Sequence, residues 1–310
     1  MSKKNTTLTT QKRMKNSGQV LYKILIYVML ILLAVTIIVP VAWVFLASLK
    51  TQQEMSGNPW VLPSGFYLEN FKAAWQDAHM GEYIGNSVIV TALALCLLLV
   101  VALPAAYCLS RMKFRGRKIL NLCFTAGLFI NVSYIAVPIF LQLNDANNWV
   151  RGAFGLENIF TNNLVVLAIV YASTALPFTI YLLSGYFATL PHDFEEAAYI
   201  DGAGYGRTML QIIFPMAKPS IITVILFNFL SFWNEFIVAM NLMTDKSKYT
   251  LPQGLVDLVT AGHAAQDLGK LYAGLVLAML PVLILYICVQ KKLTQGMTVG
   301  GLKVKVSGYD

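Results

Sequence analysis

Asp193-Phe194-Glu195-Glu196-Ala197-Ala198-Tyr199-Ile200-Asp201-Gly202-Ala203-Gly204-Tyr205-Gly206 is a polar, glycine-punctuated stretch between two apolar runs of membrane length. Pro191 closes the run before it. Asp193 is placed to cap a new helix, and Glu196, three residues on, completes a capping-box spacing. Glu195 and Glu196 fall in the first turn, where carboxylates favour the positive end of the helix dipole. Gly202, Gly204 and Gly206 then break the helix. The reading is a helix of about two turns. A helix that short is not stable alone and needs a partner surface. The paired alanines permit close backbone approach.

The flanking sequence decides the medium. The chain has 310 residues, 57% of them hydrophobic and 12% charged, whereas soluble domains carry about 25% charged residues. The charges are segregated. Residues 24–49 hold none, and runs of comparable length follow at 83–110, 119–143, 163–190 and 271–290, with Glu235 the one charge in 219–243. A helix needs about 20 mostly apolar residues to cross a bilayer core, and in lipid only helices and closed barrels satisfy their own backbone groups. The expectation is an all-α polytopic membrane protein of six transmembrane helices, with the short helix on the loop between the fourth and fifth. Residues 1–22 form an N-terminal tail, polar and expected to be disordered over 1–18, 23–290 the six-helix transmembrane domain with its special segment at 191–218, and 291–310 a C-terminal tail. Outer loops are expected at 50–82, 144–161 and 244–270. The first run exceeds the roughly 7–15 residues of a signal-peptide core and no A-x-A site follows, so it reads as a retained helix.

Basic residues set the orientation. The N-terminal tail, the link 111–118, the segment 191–219 and the C-terminal tail together hold 17 of the 23 Lys and Arg. These parts are expected in the cytosol, with both termini. The net charge of +8 is explained by this anchoring against membrane lipid, and no nucleic-acid partner is implied. Cys96, Cys108, Cys123 and Cys288 sit in or beside apolar runs without C-x-x-C spacing and read as small hydrophobes. His79, His192 and His263 lie in three separate loops, so no metal site is implied. Pro40, Pro104, Pro138, Pro177 and Pro281 lie inside the runs, where proline is expected to bend helices around a cavity.

The spacing Glu196-Ala197-Ala198, three residues, Gly202, nine residues, Ile212, one residue, Phe214-Pro215 resembles the EAA loop of binding-protein-dependent ABC importer permeases, with Phe214 where the pattern has leucine. Trp233-Asn234-Glu235-Phe236, Thr250-Leu251-Pro252-Gln253-Gly254-Leu255 and Gly296-Met297-Thr298-Val299-Gly300-Gly301-Leu302-Lys303 are similar to stretches of the carbohydrate-uptake branch, specifically the second permease of maltose-type importers. The tail departs from the pattern at Val299, Gly301 and Leu302. The resemblance implies a non-catalytic permease subunit in a bacterial cytoplasmic membrane, importing a sugar or oligosaccharide. It implies a second permease as heterodimer partner, two copies of a cytosolic ABC ATPase that use ATP and Mg, and an extracytoplasmic binding protein. The chain itself binds no cofactor; it has no G-x-x-x-x-G-K-[ST]. The coupling residues implied are Glu195, Glu196, Ala197, Ala198, Asp201, Gly202, Ile212 and Pro215. Thr250, Leu251, Pro252, Gln253 and Gly254 are implied as a loop reaching the binding protein. An amino-acid or peptide permease and an ion-coupled transporter stand as alternatives.

Intramembrane polar residues are costly and mark candidate solute paths. Asn228, Ser231 and Glu235 share one helix face, with Asn234 beside them. Asn131, Tyr134 and Gln142 share a face of the third helix, and Tyr181 lies on the fourth. Helix–helix hydrogen bonding is the competing role.

Overall fold

The computed structural model describes residues 3–58, 60–155, 159–260 and 267–301. These form helices with no strand among the described residues. Among the described residues four helices are long and apolar enough to cross a membrane, and up to six spans result if each of two sharply bent pairs is one span. The helices are α1 (Lys3–Ala47), α2 (Gln52–Ser56), α3 (Glu69–Gln76), α4 (Met80–Arg111), α5 (Arg117–Gly127), α6 (Val132–Phe154) and α7 (Leu164–Phe187). They continue with α8 (Asp193–Ile200), α9 (Tyr205–Thr208), α10 (Phe214–Met216), α11 (Lys218–Trp233), α12 (Ile237–Leu242), α13 (Leu251–Thr260) and α14 (Leu268–Gly301).

The bundle is built on α4 and α7, which pack on each other more extensively than any other pair. Ala94, Leu98, Ala102 and Ala106 recur every four residues and form one fully buried stripe of α4. Lipid tails are as apolar as leucine, so such contacts rest on close packing by small residues. Across the stripe α7 sets Ala168, Tyr171, Ile180, Leu183 and Phe187, all buried. In contrast, α1 turns Leu25, Met29, Leu32 and Ile38 outward. It meets the rest mainly near its end, where Trp43 packs edge-on against Tyr272 at 5.0 Å.

Several expected boundaries move. The third span is not one helix over 119–143: α5 and α6 meet at 102° across residues 128–131. The turn is possible because Gly127 lies against Pro177; a Cβ there would stand 2.8 Å from the proline ring. Asn131 then caps α6 by accepting the Ser133 amide at 2.9 Å. That helix runs on to Phe154 through most of the expected outer loop 144–161. Buried Asn147 holds it there, donating to Thr161 Oγ1 and accepting from the Phe160 amide, both at 2.8 Å. The fifth span is likewise divided, into α11 and α12. The five prolines sit inside continuous helices; the sharp bends fall at 128–131 and at Ala217 instead. The polar residues expected to be a disordered tail continue α1 back to Lys3, since Lys, Gln, Arg and Leu are good helix formers and no proline interrupts them. The last helix continues past 290 to Gly301.

Outer loop 50–82 contains two helices. Thr51 and Glu54 form a full capping box on α2. Glu54 also accepts the hydroxyl and amide of Ser64, and these bonds, the hydroxyl first, hold its carboxyl down at about 2. Farther along, α13 packs on α4. Ser87 Oγ accepts the Leu251 amide at 2.8 Å, and Asn86 donates to the carbonyls of Ser247 and Tyr249 at 3.0 Å. Gly254 lies flat on the ring of Tyr83, leaving no room for a Cβ.

Gly254→Ala is therefore expected to lower the melting temperature of the detergent-purified protein, on the scale of about 1–3 kcal/mol for overpacking. Tyr83→Leu in the same chain should restore part of the loss. A melting temperature unchanged by Gly254→Ala would contradict this packing.

Candidate functional site

The polar stretch between the fourth and fifth spans forms a knob at the end of the bundle where α4 and α7 finish. Its helix, α8, begins at Asp193, one residue earlier than a capping role for that residue requires. His192 precedes it with helical backbone angles and no side-chain cap, so the expected Asp193–Glu196 capping box does not form. The carboxylates of Asp193, Glu195 and Glu196 all lie in the first turn, where the helix dipole favours them. Glu196 and Ala197 are exposed; Glu195 and Ala198 are buried.

The knob's end is held by backbone geometry. Ala203 N–H donates to Ala198 O at 2.8 Å and Gly202 N–H to Tyr199 O at 3.0 Å, the paired bonds of a Schellman turn. Gly202 takes φ +77° to make them, in the left-handed region that costs other residues about 1–2 kcal/mol. Asp201 is the residue before this turn and donates its amide to Ala197 O. The chain returns through α9, a π-helical turn at Met209–Ile213, and α10, then bends 77° into α11. Pro215 lies in the first turn of α10. Ile212 is half-buried, and it is Ile213 that is fully buried in the return. The knob's outer surface is apolar: Ile200 is 87% exposed, and Phe194, Tyr199, Tyr205 and Leu210 are exposed around it.

The residue that roots the knob, Arg111, was read from sequence only as a topology charge. It ends α4, and its side chain is 3% exposed. Nε donates to Glu195 Oε1 at 3.1 Å, Nη1 to Leu190 O at 2.9 Å and Nη2 to Pro191 O at 3.1 Å. His192 Nδ1 lies 3.0 Å from the other Glu195 oxygen. Removing one partner of such a buried pair costs about 3–5 kcal/mol. A separation of 79–84 residues hides the contact from local pattern reading; an arginine at the last position of an apolar run is the only signal.

Nearer the middle of the bundle, α7 and α11 line a half-open cavity of about 400 Å3, walled by Tyr171, Thr174, Phe178, Phe227, Asn228, Ser231 and Glu235, among others. It brings together three of the expected path residues, Asn228, Ser231 and Glu235. The others lie elsewhere. Asn131 caps α6; Tyr134 and Gln142 point outward from α6; exposed Asn234 donates to Leu230 O at 2.8 Å. Tyr181 lines a separate cavity beside Arg117, Asn121 and Ser184.

Two of the three cavity residues also hold the fold. Asn228 is buried and donates to Thr179 Oγ1 at 3.0 Å and Val224 O at 2.9 Å, tying α11 to α7. Glu235 sits at the break between α11 and α12. Its carboxylate accepts Val238 N–H at 2.8 Å, Ala239 N–H at 3.1 Å and the Tyr171 hydroxyl at 2.8 Å. The wall offers aromatic faces, with Tyr171 stacked on Phe232 at 5.5 Å, and hydroxyl and amide groups beside them.

The residues expected as a free loop toward a binding protein pack inward. Thr250, Leu251, Gln253 and Gly254 are buried and Pro252 is half-buried; Gln253 donates to Met243 O at 2.7 Å. A path into the bundle's packing against α4, not a loop tip, is what the Leu-Pro-Gln-Gly run encodes. The adjoining residues 261–266 lie outside the described residues.

Residues 98–299 match the family model described as "Binding-protein-dependent transport system inner membrane component". The diacetylchitobiose uptake system permease protein NgcG of Streptomyces coelicolor is 38% identical over 88% of this chain and 87% of its own length. The trehalose/maltose transport system permease protein MalG of Thermococcus litoralis is 30% identical over 92% of this chain and 98% of its own. Among solved structures, a chain of a bacterial ABC transporter involved in the import of the acidic polysaccharide alginate superposes with a TM-score of 0.74 at 25% identity, covering 87% of this chain and 96% of that one.

Glu235→Ala leaves the Tyr171 hydroxyl and two amides without an acceptor, at about 1–3 kcal/mol for each buried group. It is expected to reduce the yield of folded protein sharply, whereas Glu235→Gln, which keeps an acceptor, retains most of it. Equal yields of the two variants, measured by size-exclusion chromatography in detergent, would rule out the capping role.

Proposed function

The chain belongs to the family of binding-protein-dependent transport system inner membrane components, and from that premise we propose that it is one permease of a heterodimeric pair in an ATP-driven importer of a sugar or oligosaccharide. It is a multi-pass membrane protein and a transport permease subunit. The relatives named for diacetylchitobiose and for trehalose and maltose support the carbohydrate class.

The observation that carries the coupling part of the reading is the knob: an apolar surface, presented by a helix too short to stand alone, at the end of the bundle richest in Arg and Lys. Exposed apolar patches on a polar surface mark docking sites. The occupant in this reading is a cytosolic ABC ATPase, present in two copies and holding the ATP and Mg for which this chain has no P-loop sequence. Basic residues concentrate on cytosolic loops, which supports a cytosolic knob and cytosolic termini in the bacterial inner membrane. Solute arrives from an extracytoplasmic binding protein at the opposite end. Within the membrane, the cavity on α7 and α11 suits a sugar, whose hydroxyls need hydrogen bonds and whose ring faces need flat apolar surfaces. The second permease completes the wall. An ion-coupled mechanism finds little support, because the three donors on Glu235 occupy the intramembrane carboxylate such coupling would use.

Ile200→Asp places a charge on the knob's most exposed apolar residue without disturbing packing. It is expected to leave the melting temperature unchanged and to abolish co-purification of the ATPase subunit. Membrane vesicles test the whole reading: uptake with binding protein present should persist with an ionophore and stop without ATP, and the reverse result would refute it.

A further inference from the structure

Packing holds α8 only lightly to the neighbouring helices. Apart from the chain itself, it is linked to the bundle at Glu195, which meets Arg111 and the Tyr107 hydroxyl, both of α4. One guanidinium donates at once to Glu195 on α8 and to Leu190 O and Pro191 O in the short segment between α7 and α8, and its own backbone ends α4. A second arginine extends the linkage. Arg117, first residue of α5, donates to Leu109 O at 2.7 Å and Ser110 O at 2.9 Å, the last carbonyls of α4. The two arginines therefore join the ends of α5 and α4 to the knob in series, and α7 is joined through its packing on α4. Arg117 satisfies carbonyls that the end of α4 leaves without intrahelical partners, and Arg111 satisfies those of the turn that leads into α8.

We propose that Arg111 is a positioning residue that makes α4 and α7 follow α8, so that force on the knob reaches the tightly packed α4–α7 pair rather than being absorbed by residues 188–192. The residue type matters. The planar fork of arginine reaches three acceptors, one on α8 and two on the segment before it, whereas the ammonium of lysine is a compact point charge. Burial matters too, because an exposed ion pair would be screened and weak. Beneath the clamp the Ala94–Ala106 stripe lets α4 and α7 move as one body, and the cavity borders the packed face of α7 at Tyr171. A displacement of the knob thus arrives at Tyr171 and Thr174 through a single rigid pair.

This deepens the reading of the chain as an ATPase-driven permease and rests on it. The test uses the importer purified with its partner subunits and reconstituted in proteoliposomes, with solute imported and ATP hydrolysed measured together. Arg111→Lys is expected to retain the ATPase subunit at wild-type stoichiometry and to keep hydrolysing ATP, while solute imported per ATP falls about tenfold, the upper range for residues that carry coupling. Glu195→Gln, which keeps an acceptor for Nε but loses the charge, should fall about threefold on the same scale. An unchanged import-to-hydrolysis ratio in Arg111→Lys overturns the proposal. So does loss of the ATPase subunit from that variant, which would make the clamp an assembly element only. If Arg111→Lys does not accumulate, Glu195→Gln decides: a wild-type ratio overturns the proposal, and a reduced ratio at full assembly supports it. Absence of ATP-dependent import by the wild-type complex would instead refute the importer reading itself.

Discussion

In a bilayer no water reaches the backbone, so every place where a helix stops or bends leaves amides and carbonyls that something else must satisfy. The architecture of this protein is a set of answers to that constraint. Asn131 and Asn163 accept the first free amides of α6 and α7. Glu235 does the same for α12 at the break in the fifth span. At the other ends, Arg117 donates to the last carbonyls of α4 and Arg111 to those after α7. Asn131, Asn228 and Glu235, polar side chains that look expensive in apolar runs, stand at such a break or tie two helices.

The same constraint divides structure from transport. Asn228 and Glu235 face the cavity, yet their strongest partners are Thr179, Tyr171 and backbone. They shape the wall first. The atoms left to meet a solute belong to side chains with local partners only, such as Thr174, which bonds carbonyls of its own helix, and to aromatic faces. A cavity built this way keeps its form when empty, because its polar anchors do not depend on the ligand. At the basic end the rule serves mechanics: Arg111, the last residue of α4, satisfies the carbonyls of the turn into α8 and also holds the knob through Glu195.

Much of this was legible in the sequence. The segregation of charge predicted the apolar spans, and the glycine-rich segment predicted a short helix ended at Gly202. The residues 250–254 were visible as a pattern, but their direction was not: Gly254 against Tyr83 is a contact between elements more than 160 residues apart, as with Ser87 and Leu251. The capping box offers a similar lesson. The spacing is present at both Thr51–Glu54 and Asp193–Glu196, and it forms only at the first. At the second, His192 already has helical angles, and the chain enters α8 from a turn held by Arg111 and Glu195.

By itself the sequence determined the medium, the helical class and the place of the knob, because hydropathy, charge segregation and glycine act over a few residues and need no distant partner. Tertiary structure alone decided where the spans break, which polar residues face a cavity, and that Arg111 is an anchor and not merely a topology charge. Those outcomes depend on which helix ends meet, and a free carbonyl or amide takes whichever donor or acceptor the packing of α4 on α7 brings within 3 Å or so.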